Sequence, residues 1–155
     1  MVQSSDIALD CAHNFDERNL LNAACVRWRK PMVEAAMNSM EAYLTTIVPG
    51  KTPCLSCLFP EKPQWDRRGF GVLGIVSGTL ACLAASEAIK QITGFSKPLW
   101  SQLLTINLDG MEFAKRRPYH DLNCQVCGSL SRELIADSIG TGNNLTTEVI
   151  TANSL

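Results

Sequence analysis

The segment KTPCLSC (51–57) is answered far along the chain by NCQVCG (123–128), and these two cysteine pairs organise the reading of everything else. A Cys-x-x-Cys turn points both sulfurs at one spot, because the chain reverses between them and frees its amides towards the thiolates. Two such knuckles supply the four soft ligands that tetrahedral Zn²⁺ takes in closed structural sites. Cys54, Cys57, Cys124 and Cys127 are therefore the expected zinc ligands, with Gly128 letting the backbone turn under the metal. Residues 58–123 lie between the pairs, too many for a compact zinc ribbon. The metal would thus clamp two loops that the fold brings together, and closing so long a loop gives it stabilising leverage. Two redox-active pairs, or four unrelated thiols, are the alternatives. A redox pair sits at a helix amino terminus after a strand, and neither pair reads as preceding a helical pattern.

Around this frame, 155 residues suffice for one domain and one sizeable core. Apolar residues at 46% and charged residues at 19% exclude a disordered or highly solvated chain. The net charge is −1 and the basic clusters RWRK (27–30) and KRR (115–117) are short, so nucleic acid is not an expected partner. The longest apolar run, Val72 to Ser86, falls short of the roughly 18 residues of a bilayer span. It reads as a buried core helix, and no membrane association is expected. The opening MVQSSDIALD has neither the basic start nor the apolar stretch of an export signal. Seven cysteines without such a signal fit a reducing compartment, so the expected location is cytoplasmic.

Ile7 to Asp10 reads as a short buried strand. Asn14, with Glu17 three residues on, reads as a helix start. Leu21, Ala24, Cys25 and Trp28 follow at helical spacing on one face, until Pro31 ends the helix. Met32 to Met37 and Tyr43 to Val48 are expected strands, and residues 59–69 an exposed loop. A long helix from about Val72 to Thr93 is closed by Gly94. Leu103 to Leu108 and Met111 to Arg116 form a hairpin, for which Asp109-Gly110 favours a type I′ turn. The polar stretch after Gly128 has room for one short helix. Cys25 and Cys82, on apolar helix faces, are expected as small buried hydrophobes; Cys11 has no assigned role.

Gly69-Phe70-Gly71-Val72-Leu73-Gly74 spells G-x-G-x-x-G and leads into a helix. The dinucleotide fingerprint needs a buried strand just before it, and PEKPQWDRR (60–68) is no strand. These small residues, continued by Gly78, Ala81, Ala84 and Ala85, read as a close-packing face.

Four landmarks then line up: LDCAHNFDERNLLNAAC (9–25), KPMVEAAMNSMEAYLTTIVPGKTPCLSCLFPE (30–61), GVLGIVSGTLACLAASEAIKQITG (71–94) and LLTINLDGMEFAKRRPYHDLNCQVCG (103–128). Together they resemble the carboxyl-terminal half of the ThiF/MoeB/HesA superfamily, relatives of the ubiquitin-activating enzymes, over residues 6–128. The resemblance implies an α/β, Rossmann-like fold, here truncated, with a central mixed sheet, flanking helices and a four-cysteine structural zinc site. It implies a half-domain over 1–128, while the composition of residues 129–155, polar and punctuated by Gly and Asn, reads as a partly disordered tail. The resemblance also implies ATP and Mg²⁺ as family cofactors, and a homo- or heterodimeric assembly. The implied chemistry is adenylylation of the terminal carboxylate of a ubiquitin-like or sulfur-carrier protein, with cations stabilising the phosphates.

Asp10, Asn14 and Arg18 fall on family motif positions and are the candidate substrate-binding residues. Asn22 matches the same helix. The family motif Asp-x-x-Asp-Asn reads here Asp10-Cys11-Ala12-His13-Asn14, so His13 stands where the family has its magnesium-serving Asp. An imidazole is a poor Mg²⁺ ligand, and no catalytic residue is assigned. His13 remains a possible base or anion contact, or a plain polar loop residue. No cysteine lies between Cys57 and Cys82, which excludes a thioester nucleophile in that loop. His120 lies near the second pair, but four cysteines already fill a tetrahedral shell. Without the glycine-rich nucleotide loop, the chain reads as a part of an activating enzyme. Alternatively it is a catalytically silent, zinc-stabilised module that pairs with an active partner, its Leu9 and Leu21/Cys25/Trp28 face left partly exposed. A small redox protein is the third reading, and it requires metal-free cysteines.

Overall fold

A computed structural model describes residues 1–63 and 71–140. The loop expected at 59–69 and the glycine-rich spelling at 69–74 therefore lie partly, and the tail after residue 140 wholly, outside the described residues. A five-stranded sheet runs β1 (Ala8–Leu9), β2 (Met32–Asn38), β3 (Glu41–Ile47), β4 (Leu103–Asn107), β5 (Glu112–Arg116) in chain order across its width. β1 and β2 are parallel, joined through helix α1 (Phe15–Arg27); the other neighbours are antiparallel. The sheet is mixed for a simple reason. A parallel pair needs a crossover long enough for a helix, whereas hairpins need only turns.

Asn14 caps α1 by accepting the Glu17 amide at 2.9 Å, and the Glu17 carboxylate reaches back to the His13 amide and the Asn14 side chain. The buried face of α1 is Phe15, Arg18, Asn22, Cys25 and Val26. Apolar spacing pointed instead to Leu21, Ala24, Cys25 and Trp28. Two polar residues turn inward because each finds partners there, and Trp28, just past the helix, is exposed.

β2 and β3 form a hairpin through Ser39 and Met40, with Ser39 at φ 56. No Asn-Gly or Asp-Gly pair signals this turn, so the strands were legible and their connection was not. Along β3, Tyr43, Thr45 and Ile47 face one side and Ala42, Leu44 and Thr46 the other, in register with alternate residues of β2. The sheet therefore serves two cores. On one face Phe15, Cys25, Val26, Met32 and Ile47 pack with Cys54, Leu55, Cys127 and Leu130. On the other, Val33, Leu44, Leu99 and Ile106 meet helix α3 (Gly74–Thr93) through Val76, Leu80, Ala84 and Ala88. Each fully buried aliphatic side chain contributes roughly 1.5–3 kcal/mol to holding these layers.

α3 ends on Gly94 in the left-handed conformation, its amide bonded to the Lys90 carbonyl. It is not the all-round buried helix expected. Ile75, Cys82, Ile89 and Ile92 are exposed on its outer side, because hydropathy alone cannot say whether anything covers the second face. Its inner face carries a buried carboxylate, Glu87, which accepts from Thr46 Oγ1 (2.8 Å) and the Leu99 amide (2.7 Å) and pairs with Lys90. The β4–β5 hairpin forms as expected, but not on a two-residue type I′ turn. Residues 108–111 make the loop, Asn107 Oδ1 accepts the Asp109 and Gly110 amides, and Met111, not Gly110, takes positive φ.

Candidate metal centre

The first cysteine pair follows β3 after the turn at Gly50, and the second follows β5 after the loop through His120. Each opens into a helix: Cys54 caps the single-turn α2 (Leu55–Leu58), and Cys127 directly precedes α4 (Gly128–Gly140). This corrects the expectation that neither pair precedes a helix, and it removes one argument against redox pairs. Geometry supplies a better one. Cys54, Cys57, Cys124 and Cys127 place their sulfurs within 4.8 Å of one another. Cys54 Sγ lies 3.9 Å from Cys57 and 3.8 Å from Cys124, and Cys57 Sγ lies 3.5 Å from Cys127. A tetrahedral Zn²⁺ with bonds of about 2.3 Å has sulfur–sulfur edges of about 3.8 Å. The quartet thus has the size of a four-thiolate zinc shell, and it mixes sulfurs from both pairs where two separate redox couples would not.

The four sulfurs lie close enough to govern one another's ionisation. Hydrogen bonds, first from Cys127 and then from Cys57, hold Cys54 down to about 2. The hydrogen bond with Cys127 pulls Cys57 down too, but that with Cys54, burial and the Cys54 charge push it up to about 12. Cys127 is driven upward, first by its hydrogen bond with Cys54. Four crowded sulfurs cannot all ionise unaided, and a divalent ion is what lets them. Burial holds the His120 imidazole below its ordinary range, against the charges of Cys54 and Asp121.

Several contacts position the quartet. Asn22 of α1 accepts the Leu55 amide at 3.1 Å and donates to Ser56 Oγ at 3.4 Å, fastening α2 to α1. A Cβ at Gly128 would run into the Leu122 carbonyl, so only glycine lets the second knuckle close. Gly128→Ala is therefore expected to lower stability by about 1–3 kcal/mol. Urea denaturation of the metal-loaded chain checks this, and an unchanged midpoint would show that the knuckle can relax.

On the same face of the sheet, the end of β1 makes a tight turn. Asp10 Oδ1 accepts the Ala12 amide at 2.8 Å, while its other oxygen pairs with Arg18. The Arg18 guanidinium also donates to the Ala12 carbonyl (2.9 Å) and the Ala35 carbonyl (3.1 Å), and lies 3.5 Å from Glu34. The structure thus brings Asp10 and Arg18 together as a buried pair. Asn14 sits on the helix cap beside them, and His13 lies exposed between. Glu34 and Tyr43 belong to this cluster, with Tyr43 Oη donating to Glu34 at 3.1 Å. Sequence reading passed over both, although a carboxylate inside the apolar run Met32-Val33-Glu34-Ala35-Ala36 was a usable signal.

Burial pushes the Glu34 carboxyl up from 4.5 to about 7, overriding Arg18 and the Tyr43 hydrogen bond. A raised acid stabilises the fold while protonated. Its contribution is complete below pH 4.5 and is lost as pH rises through about 7, roughly 3 kcal/mol in all. Because thiolate–metal binding itself strengthens with pH, the Glu34 effect is read as a difference: Glu34→Gln should gain stability relative to the wild type as pH rises through about 7. A wild-type-minus-variant difference that is flat across that window would contradict this.

The ThiF family matches residues 1–127. This chain belongs to the ThiF family. Protein HesA of Nostoc sp. is 72% identical over 148 residues, which cover 94% of this chain and 59% of that protein. The adenylyltransferase and sulfurtransferase MOCS3 of Drosophila ananassae is 34% identical, over 94% of this chain and 34% of its own length. Among solved structures, E. coli MccB with ATP superposes with a TM-score of 0.67 at 28% identity, over 79% of this chain and 39% of MccB. The chain spans about half the length of the HesA relatives it matches. The turn after β1 and the cysteine quartet share one face of the sheet because α1 runs from one to the other. Among the described residues no helix is long and apolar enough to cross a membrane.

Proposed function

We propose that this chain is the metal-clamped part of a ThiF-type enzyme that activates a carrier protein with ATP. In that reaction a carboxylate oxygen at the end of a small ubiquitin-like or sulfur-carrier protein attacks the α-phosphorus of ATP. The new P–O bond forms as the bond to pyrophosphate breaks. The observation that carries this reading is α1, which joins the Asp10–Asn14 turn to the cysteine quartet through Arg18 and Asn22. Support comes from MOCS3, named as an adenylyltransferase, and from MccB, solved with ATP. Zinc is the ion we assign to the quartet, as a structural clamp that fixes the two knuckles.

The residues described do not themselves fit Mg²⁺–ATP. The Asp10 carboxylate is turned inward against Arg18, and His13 offers nitrogen where magnesium prefers hard oxygen. We therefore assign no step at the phosphates to this chain. That observation also favours a second reading, in which the chain is a silent, zinc-stabilised subunit. The exposed apolar outer side of α3, with Ile75 at 68%, Ile89 at 54% and Ile92 at 65% exposure, supports association with a partner chain or a second copy.

Calorimetry of the chain with ATP and Mg²⁺ tests both readings. No binding is expected from the chain alone. Pyrophosphate release is expected once a protein supplying the remainder of a HesA-type fold and a carrier protein are added. Binding by the chain alone would overturn the silent reading, and no release from the reconstituted mixture would overturn the enzymatic one.

A further inference from the structure

Outside the four sulfurs stands a histidine that coordination chemistry leaves unused. We infer that His120 is a positioning residue for the metal centre, its Nε2–H supporting the Cys127 thiolate and tying it to α4. This rests on the reading of the quartet as a metal site.

His120 Nε2 lies 3.9 Å from Cys127 Sγ and 3.0 Å from Ser131 Oγ. Ser131 is wholly buried in the first full turn of α4, and its hydroxyl lies 2.9 Å from the Cys127 carbonyl. A hydroxyl has one proton. If Ser131 donates it to that carbonyl, the same oxygen can only accept from His120, which requires the proton on Nε2. The metal-bound state selects this arrangement. A thiolate repels an imidazole lone pair aimed at it and attracts an N–H, so the Nε2–H is shared between Ser131 Oγ and Cys127 Sγ.

Cys127 has particular need of such a donor. Four thiolates around a divalent ion carry surplus negative charge, and Cys127 is completely buried, without solvent to spread it. Outside the quartet, the Asp121 carbonyl lies 4.0 Å from the Cys57 sulfur, and a carbonyl offers no proton. The His120 N–H is the complementary group on the other side of the quartet. Through Ser131 it also joins the thiolate to α4, so the ligand and the helix that follows it are held by one hydrogen-bond chain. Hydrogen bonds from outside a coordination shell orient ligands and retain metal, and losing one typically changes affinity by about 10–100-fold.

Cobalt replacing zinc in the full chain gives the test a spectroscopic readout. His120→Ala is expected to shift the sulfur-to-cobalt charge-transfer band and speed metal release to a chromogenic chelator by about tenfold or more. His120→Gln, whose side-chain amide reaches the same place, should restore much of the wild-type rate. Ser131→Ala should fall between, since the ring remains without its guide. If all three variants bind one metal per chain with wild-type spectra and release rates, His120 has no such role. If the wild-type chain binds no metal, the underlying site is wrong instead. Should His120→Ala fail to fold, the Gln and Ser131 variants decide, because unchanged behaviour in Ser131→Ala together with accelerated release in His120→Gln contradicts an N–H donor.

Discussion

Stripping the metal with a strong chelator is expected to collapse the cysteine-bearing side of the molecule, with a loss of stability on the order of 10 kcal/mol. That approaches the whole folding free energy of an ordinary domain, about 5–15 kcal/mol. The reason lies in what the quartet replaces. Cys54, Cys127, Leu55 and Leu130 are members of the buried cluster under α1, so this core is built around the sulfur quartet rather than beside it. Without the ion, four thiols must share a space sized for thiolates, and α2 and α4 lose their anchor. The other core contains no metal ligand, since α3 meets β2, β3 and β4 through aliphatic contacts. Chelation should therefore expose hydrophobic surface and lower helix content, and Zn²⁺ or Co²⁺ should reverse both. Circular dichroism melts with and without chelator measure this. A midpoint that does not move after one equivalent of metal is removed would refute the clamp.

Replacing Arg18 by methionine is the second large effect expected. Arg18 is enclosed by the Asp10 carboxylate, Glu34, and the carbonyls of Ala12 and Ala35. Methionine keeps much of the volume and removes every one of these partners, leaving two buried carboxylates facing each other. Breaking a buried pair this way costs about 3–5 kcal/mol, far more than the pair itself is worth against an apolar replacement. The loss should grow with pH, because protonating Glu34 relieves the repulsion. Adding Glu34→Gln to Arg18→Met should recover part of it, a non-additivity expected only where the two residues touch. Urea unfolding of the two single variants and the double gives the coupling directly. A loss below about 1 kcal/mol would mean that water reaches the cluster.

Local signals were the legible ones. Asn14 and Gly94 announced the helix ends they cap, and Asp109-Gly110 announced the β4–β5 hairpin, although its loop is longer than that pair. The meeting of two distant cysteine pairs could be anticipated because each turn by itself presents two sulfurs. What escaped was decided by partners remote in sequence. Arg18 and Asn22 point inward against their polarity because Asp10 and the Leu55 amide await them. Cys82 points outward against its hydropathy because the sheet covers only one side of α3. The Ser39–Met40 turn has neither glycine nor asparagine at its centre, and pairing of the strands imposes it. The helix after Cys54 escaped because one turn gives no periodicity to read, and α4 was legible only as room for a short helix because its polar stretch gives little.

The alternation of β3 places uneven demands on this chain. Tyr43 and Ile47 belong to the cysteine-bearing side, while Leu44 and Thr46 belong to the side of Glu87. Point changes along the strand can be absorbed one face at a time. A single added or deleted residue would swap both inventories at once, sending the Thr46 hydroxyl to one layer and the Ile47 side chain to the other. Tolerance of length change should thus be lowest between residues 41 and 47, however freely individual letters there are exchanged.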